Sequence, residues 1–161
     1  MADLFDATTI KNMALGNRLV RSATWEGMCE ADGRPTPKLT GFYQTLAAGG
    51  IGLIISGYTF VRPEGKQMRG KMGIHTDEFA DSFRAMTGAV HAAGGRIAVQ
   101  LVHAGGQTDT ANAGRRPLAP SALKLAQYPE VPEELSRAEI QAIIDAFGQG
   151  AHGVYADQAA G

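Results

Sequence analysis

Gln100 sits inside an otherwise apolar run, Ile97-Ala98-Val99-Gln100-Leu101-Val102. A primary amide carries both a donor and an acceptor. That pairing can read the edge of a heterocycle bearing adjacent C=O and N–H groups, and it equally suits a buried glutamine satisfied by backbone. The spacing weights the two readings evenly. Trp25, in Ser22-Ala23-Thr24-Trp25-Glu26-Gly27, and Tyr58, in Gly57-Tyr58-Thr59, are rings that either stack on a planar ligand or cover a strand end, and packing is the stronger expectation for both. Together with His103-Ala104-Gly105-Gly106, these segments are the places where a planar, hydrogen-bonding ligand would be lined.

Other reactive side chains point to less. His75, His91, His103 and His152 show no HxxxH or other metal-ligand spacing, so no metal site is expected. His103 reads as a hydrogen-bonded structural imidazole. Cys29 has no His or Cys near it in sequence, which argues against a nucleophile. Gly105-Gly106 lacks the flanking residues of a phosphate loop. Arg62, Lys66, Arg69 and Lys71 are expected to form a solvated face.

The elements that must position these residues follow a repeated order: apolar run, loop, helix-period segment. That alternation predicts an α/β fold with parallel strands. Strands are expected at Arg18–Ser22, Ile51–Ser56 and Ile97–His103. The first helix opens with Thr36 as N-cap and Pro37 at its first position, buries Leu39, Phe42, Tyr43 and Leu46, and ends at Gly49-Gly50. The second is predicted over Asp77–Ala93 after Thr76, burying Phe79, Phe83, Met86 and Val90. The third is predicted over Arg137–Phe147, with a Ser136/Glu139 capping box and a buried stripe of Ile140, Ile143, Ile144 and Phe147. Ala47-Ala48-Gly49-Gly50 and Ala92-Ala93-Gly94-Gly95 join helix to strand in the same way, as in an array of βα units. Leu4 to Asn17 reads as a hairpin laid across one end of the sheet, turning at Lys11-Asn12. Ala104 to Leu135 reads as a long, structureless loop at an active site or interface.

Ligands of parallel βα arrays bind where the strands end, since loops and helix N-termini converge there. Bulk composition narrows the remaining choices. The chain has 161 residues, 21 of them Gly, with a formal net charge of −1, so no electrostatic pull toward nucleic acid or an anionic membrane is expected. A single cysteine, no leader-like segment and no membrane-length apolar run predict a cytoplasmic protein. The length suits one domain yet falls short of the ~250 residues of a complete (β/α)8 barrel.

Six segments occur in an order that resembles a known family: LFDATTIKNMALGNR from Leu4, NRLVRSATWEG, Gly52-Leu53-Ile54-Ile55, Gly73-Ile74-His75-Thr76-Asp77-Glu78, Gln100-Leu101-Val102-His103-Ala104-Gly105, and Ala119-Pro120-Ser121-Ala122. Together they look like the N-terminal part of the Old Yellow Enzyme-type NADH:flavin oxidoreductases, or ene-reductases. The resemblance runs from about Leu4 to Phe147. It implies a partial TIM (β/α)8 barrel, about three βα units preceded by an N-terminal β-hairpin, with residues 1–147 in the barrel and 148–161 as a divergent tail. It also implies FMN as cofactor, NAD(P)H as reductant and an activated alkene or enone as small-molecule substrate.

By position, Ser22-Ala23-Thr24-Trp25 corresponds to the loop touching the flavin ring near N5 and O4. Tyr58 corresponds to a backbone contact with the ring, and Gln100 to the glutamine on its pyrimidine edge. Ala23, Thr24, Trp25, Tyr58 and Gln100 are thus the expected cofactor-binding residues. Either Thr24 or Trp25 takes the place that many relatives give to Cys or Thr. The family's substrate-anchoring histidine pair, flavin-stacking arginine and phosphate clamp come from later strands, so no catalytic residue is assigned. Two expectations follow: a flavin oxidoreductase completed by self-association or a complementing chain, or a truncated, non-catalytic fragment that acts as an interaction module or has no function.

Overall fold

The computed structural model describes residues 3–158. Thr8–Ile10 (β1) and Met13–Leu15 (β2) pair antiparallel, with Ile10 opposite Met13 across the expected Lys11-Asn12 turn. Asn17 fastens this hairpin to the sheet: its side-chain amide donates to the Gly50 carbonyl at 2.6 Å. Its own carbonyl lies 2.6 Å from the position a Cβ on Gly52 would take, so only glycine admits the approach. The hairpin therefore caps the end at which the strands begin.

The main sheet comprises Val20–Arg21 (β3), Leu53–Phe60 (β4), Met72–Gly73 (β5) and Ile97–Val102 (β6). β3 and β6 flank β4 in parallel, and β5 pairs with the last two residues of β4. The first strand is shorter than expected, because after Arg21 the chain leaves β4 to cross over Gly57. The second is longer than expected: it continues past Ser56 to Phe60 by pairing with β6 and β5, and an irregularity between Ile55 and Tyr58 accommodates Gly57.

Pro37–Ala48 (α1) starts as predicted, with the Thr36 hydroxyl accepting from the Leu39 N–H at 3.2 Å. The second helical segment opens as a 3-10 turn, Asp77–Phe79, in which Thr76 accepts from the Glu78 N–H, and becomes α-helix over Ala80–Ala92 (α2). One core joins these helices to one face of the sheet through Leu39, Tyr43, Ile54, Met72, Met86 and Val90. Among the described residues no helix covers the other face. There Ile55 stands opposite Ala98 and Tyr58 opposite Gln100, and Ala98, Gln100 and Val20 are exposed.

The segment expected to be structureless carries local order. Thr110–Ala113 (α3) is capped by Asp109, and Leu118–Ala119 (β7) pairs in parallel with Glu133–Glu134 (β8). The final helix, Arg137–Gln158 (α4), continues well beyond the predicted end at Phe147. Its reciprocal capping box forms as expected, with the Ser136 N–H donating to Glu139 at 2.9 Å and the Glu139 N–H to the Ser136 hydroxyl at 3.2 Å. Its buried face differs in part from the prediction: Ile143 and Phe147 are half-buried but Ile140 and Ile144 are exposed, while Ala146 and Gly150 are buried. Gly150 lies so close to Val61, Ile74 and Leu101 that small residues, rather than isoleucines, set this contact.

Candidate site at the strand ends

The loop after β3 is seated by a glycine in β4. A Cβ on Gly57 would meet a Glu26 carboxylate oxygen at 2.5 Å and the Thr24 carbonyl at 2.6 Å. The Gly57 N–H donates to the Tyr43 hydroxyl at 2.9 Å, tying the same point to α1. Glu26 is nearly enclosed and pairs with Arg21 at 3.2 Å. Burial pushes the Tyr43 phenol up, with the Gly57 N–H opposing and Glu26 adding to the rise.

On this support the loop presents its sequence-predicted residues. Ala23 is half-buried and Thr24 exposed, with the Thr24 hydroxyl donating to the Ser22 carbonyl at 3.1 Å. Trp25 is 50% exposed, so the expectation that it packs into the core fails: the loop is held by Gly57 and Glu26, and the indole lies outside. Tyr58 lies in β4 rather than in a loop beyond it. Its ring is half-buried and its hydroxyl donates to the Gly65 carbonyl. Burial raises this phenol as well, with Tyr128 adding to the effect.

Gln100 is exposed on the uncovered face, directly opposite Tyr58 in register. Its backbone N–H donates to the Ser56 hydroxyl at 3.2 Å, while its side-chain amide makes no hydrogen bond among the described residues. That geometry removes the reading of a buried, backbone-satisfied glutamine and leaves an amide open to a ligand. Tyr58 and Gln100 are thus adjacent, and Trp25 joins them through a residue that the sequence reading misplaced.

That residue is Lys71. Instead of lying on a solvated face it is 7% exposed, its ammonium 5.2 Å from the Trp25 ring centre and 4.7 Å from that of Tyr58. These are cation–π distances. Burial holds its pKa below the usual lysine range, with Glu26 opposing. The only local signal for this position is its flanking by Gly70 and Met72-Gly73. Gly70 lies against the Gly27 backbone and Gly73 against the Phe60 ring.

His103 closes the strand end. Its Nδ1 accepts from the Gly105 N–H at 3.0 Å, which leaves the proton on Nε2, a buried donor without a partner among the described residues. Burial lowers its pKa, with Glu64 opposing and Arg62 reinforcing. Burial pushes the Cys29 thiol up to about 12, with Glu26, Asp32 and Glu30 adding to the rise, so the thiolate needed for nucleophilic work is disfavoured. A cavity of about 600 Å³ lies elsewhere, between α2 and α4, lined by Val61, Ile74, Phe83, Ala146 and Gly150. It does not include Trp25, Tyr58 or Gln100. No helix among the described residues is long and apolar enough to cross a membrane.

Comparison with known proteins gives this geometry a context. The sequence profile of the NADH:flavin oxidoreductase / NADH oxidase family matches residues 3–159. An NADPH dehydrogenase of Geobacillus sp. is 33% identical over 149 residues, covering 92% of this chain and 43% of the relative. Among solved structures, morphinone reductase in complex with tetrahydroNAD superposes with a TM-score of 0.89 at 28% identity, over 98% of this chain and 47% of that one. The Old Yellow Enzyme homologue from Zymomonas mobilis gives 0.85 at 27%, over 97% and 46%. The chain thus spans under half the length of these proteins.

Proposed function

Since this chain belongs to the NADH:flavin oxidoreductase / NADH oxidase family, we propose that its strand-end site is a flavin cradle in which Ala23, Thr24, Trp25, Tyr58 and Gln100 receive the ring of FMN. The observation that carries this reading is the Gln100 amide: exposed, without a partner among the described residues, and level with Tyr58 on the open face of the sheet. One amide with both donor and acceptor fits the alternating C=O and N–H groups on the edge of that ring. FMN, when bound, supplies the hydride chemistry between NAD(P)H and an activated alkene. The chain's own part is to position the ring. Gly57 and Glu26 fix the loop, Trp25 covers ring surface, and Gln100 sets the ring's orientation in plane.

The described β3, β4 and β6 form, on this reading, one arc of an eight-stranded barrel. The alkene-reducing activity belongs to the complete barrel, whose remaining strands come from beyond these residues or from another chain. Titration of FMN into the purified chain tests the cradle. A shift in the visible flavin bands together with quenching of Trp25 is the expected result, and unchanged spectra at saturating FMN overturn it.

A second reading is favoured by the uncovered sheet face with its exposed Val20, Ala98 and Gln100: a module that associates with itself or with a complementing chain. Elution as a monomer at every concentration in size-exclusion chromatography would count against self-association.

A further inference from the structure

Lys71 is a largely buried residue whose ammonium, still reached by solvent, forms no ion pair with a described residue. Its ammonium carries three donors, yet no described residue accepts from any of them, and it lies over two aromatic faces. The carboxylate that attracts it, Glu26, is already engaged by Arg21 at 3.2 Å. Buried charges are ordinarily paired and hydrogen-bonded. Ring faces compensate part of the loss of water but accept no conventional hydrogen bond. The position is also fixed: Tyr58 anchors its hydroxyl on Gly65, and Trp25 belongs to the loop clamped over Gly57. The charge is therefore held in place beside an exposed indole and beside the strand position facing Gln100.

We propose that Lys71 recognises negative charge on a planar ligand bound at Trp25, Tyr58 and Gln100. Resting on the flavin-cradle reading, it makes this site prefer the reduced ring to the oxidised one. Reduction by two electrons with uptake of one proton leaves the ring one negative charge richer, and an ammonium in a partly dry site attracts that charge far more than water would. The dihydronicotinamide donor supplies both electrons and the proton as one hydride, and is itself oxidised.

Two forms of one probe test this: oxidised FMN, and FMN reduced anaerobically with dithionite. Each is titrated into the full chain and into its Lys71→Met and Lys71→Arg variants, with quenching of the single tryptophan, Trp25, as the readout. Thermal unfolding checks that each variant folds, and Lys71→Gln replaces Lys71→Met where the latter does not. The expected result is a preference for reduced FMN of at least about tenfold in the unaltered chain and in Lys71→Arg. The uncharged variant loses that preference while its affinity for oxidised FMN stays within about threefold. Tenfold corresponds to about 30 mV in the potential of bound FMN. An unchanged preference in the uncharged variant overturns the role of Lys71 and leaves the cradle standing. Failure of both forms to bind the unaltered chain overturns the cradle, and the proposal with it.

Discussion

Gln100 places a polar group on a face that no described helix covers, and its side chain makes no hydrogen bond among the described residues. Replacing it with Leu is therefore expected to leave the midpoint of thermal unfolding nearly unchanged while weakening FMN binding by about tenfold, the value of a typical hydrogen bond. Calorimetry and an FMN titration on the same variant separate the two effects, and a large drop in stability with unchanged binding refutes the assignment. The histidines behave oppositely. Burial lowers the pKa of both His75 and His103, so the native state holds them neutral while the unfolded chain takes up protons below its ordinary value of about 6.5. The unfolded state then binds more protons, and stability falls as pH drops through that value toward the folded pKa. Urea unfolding on either side of about pH 6.5 should show that loss. The loss should shrink in a His103→Gln variant.

Elements set by local chemistry were legible in the sequence. The hairpin turns at Lys11-Asn12, α1 begins at its Thr36 cap, and the Ser136/Glu139 box opens α4 as written, because each depends on residues a few positions apart. Strand limits were less legible, since β4 reaches Phe60 only through partners in β5 and β6 that a linear reading does not bring together. The same holds for Lys71, whose aromatic neighbours lie far from it in sequence. In α4 the apolar period pointed to the isoleucines, but Ile140 and Ile144 are exposed, and the close approach of Val61 and Leu101 selects Gly150 at the buried contact instead. Gly57 shows how tightly these elements interlock. An alanine there drives its Cβ into Thr24 and Glu26, so Gly57→Ala should destabilise by about 1–3 kcal/mol and also shift the emission of Trp25. Fluorescence and denaturant unfolding check both, and wild-type values for each would show that the loop is not fixed at this point.

Taken as one body, the described chain is dressed on one side only. α1 and α2 shield one face of the sheet, whereas the face bearing Val20, Ala98 and Gln100 has no covering layer among the described residues, and parallel sheets are ordinarily buried on both sides. α4 adds exposed Ile140 and Ile144 on its outer surface. Changing both to Lys should leave unfolding within about 0.5 kcal/mol, as for surface positions in general. If association occurs through the sheet face, light scattering should give the same average mass with and without these lysines. A fall to monomer would place the contact on α4 instead. The hairpin offers a practical consequence. Because β1 and β2 are fastened by Asn17 at the end where the strands begin, a peptide tag or surface tether joined ahead of Leu4 emerges opposite Trp25 and Gln100. Immobilised in that orientation, the protein would present its strand-end loops to solution.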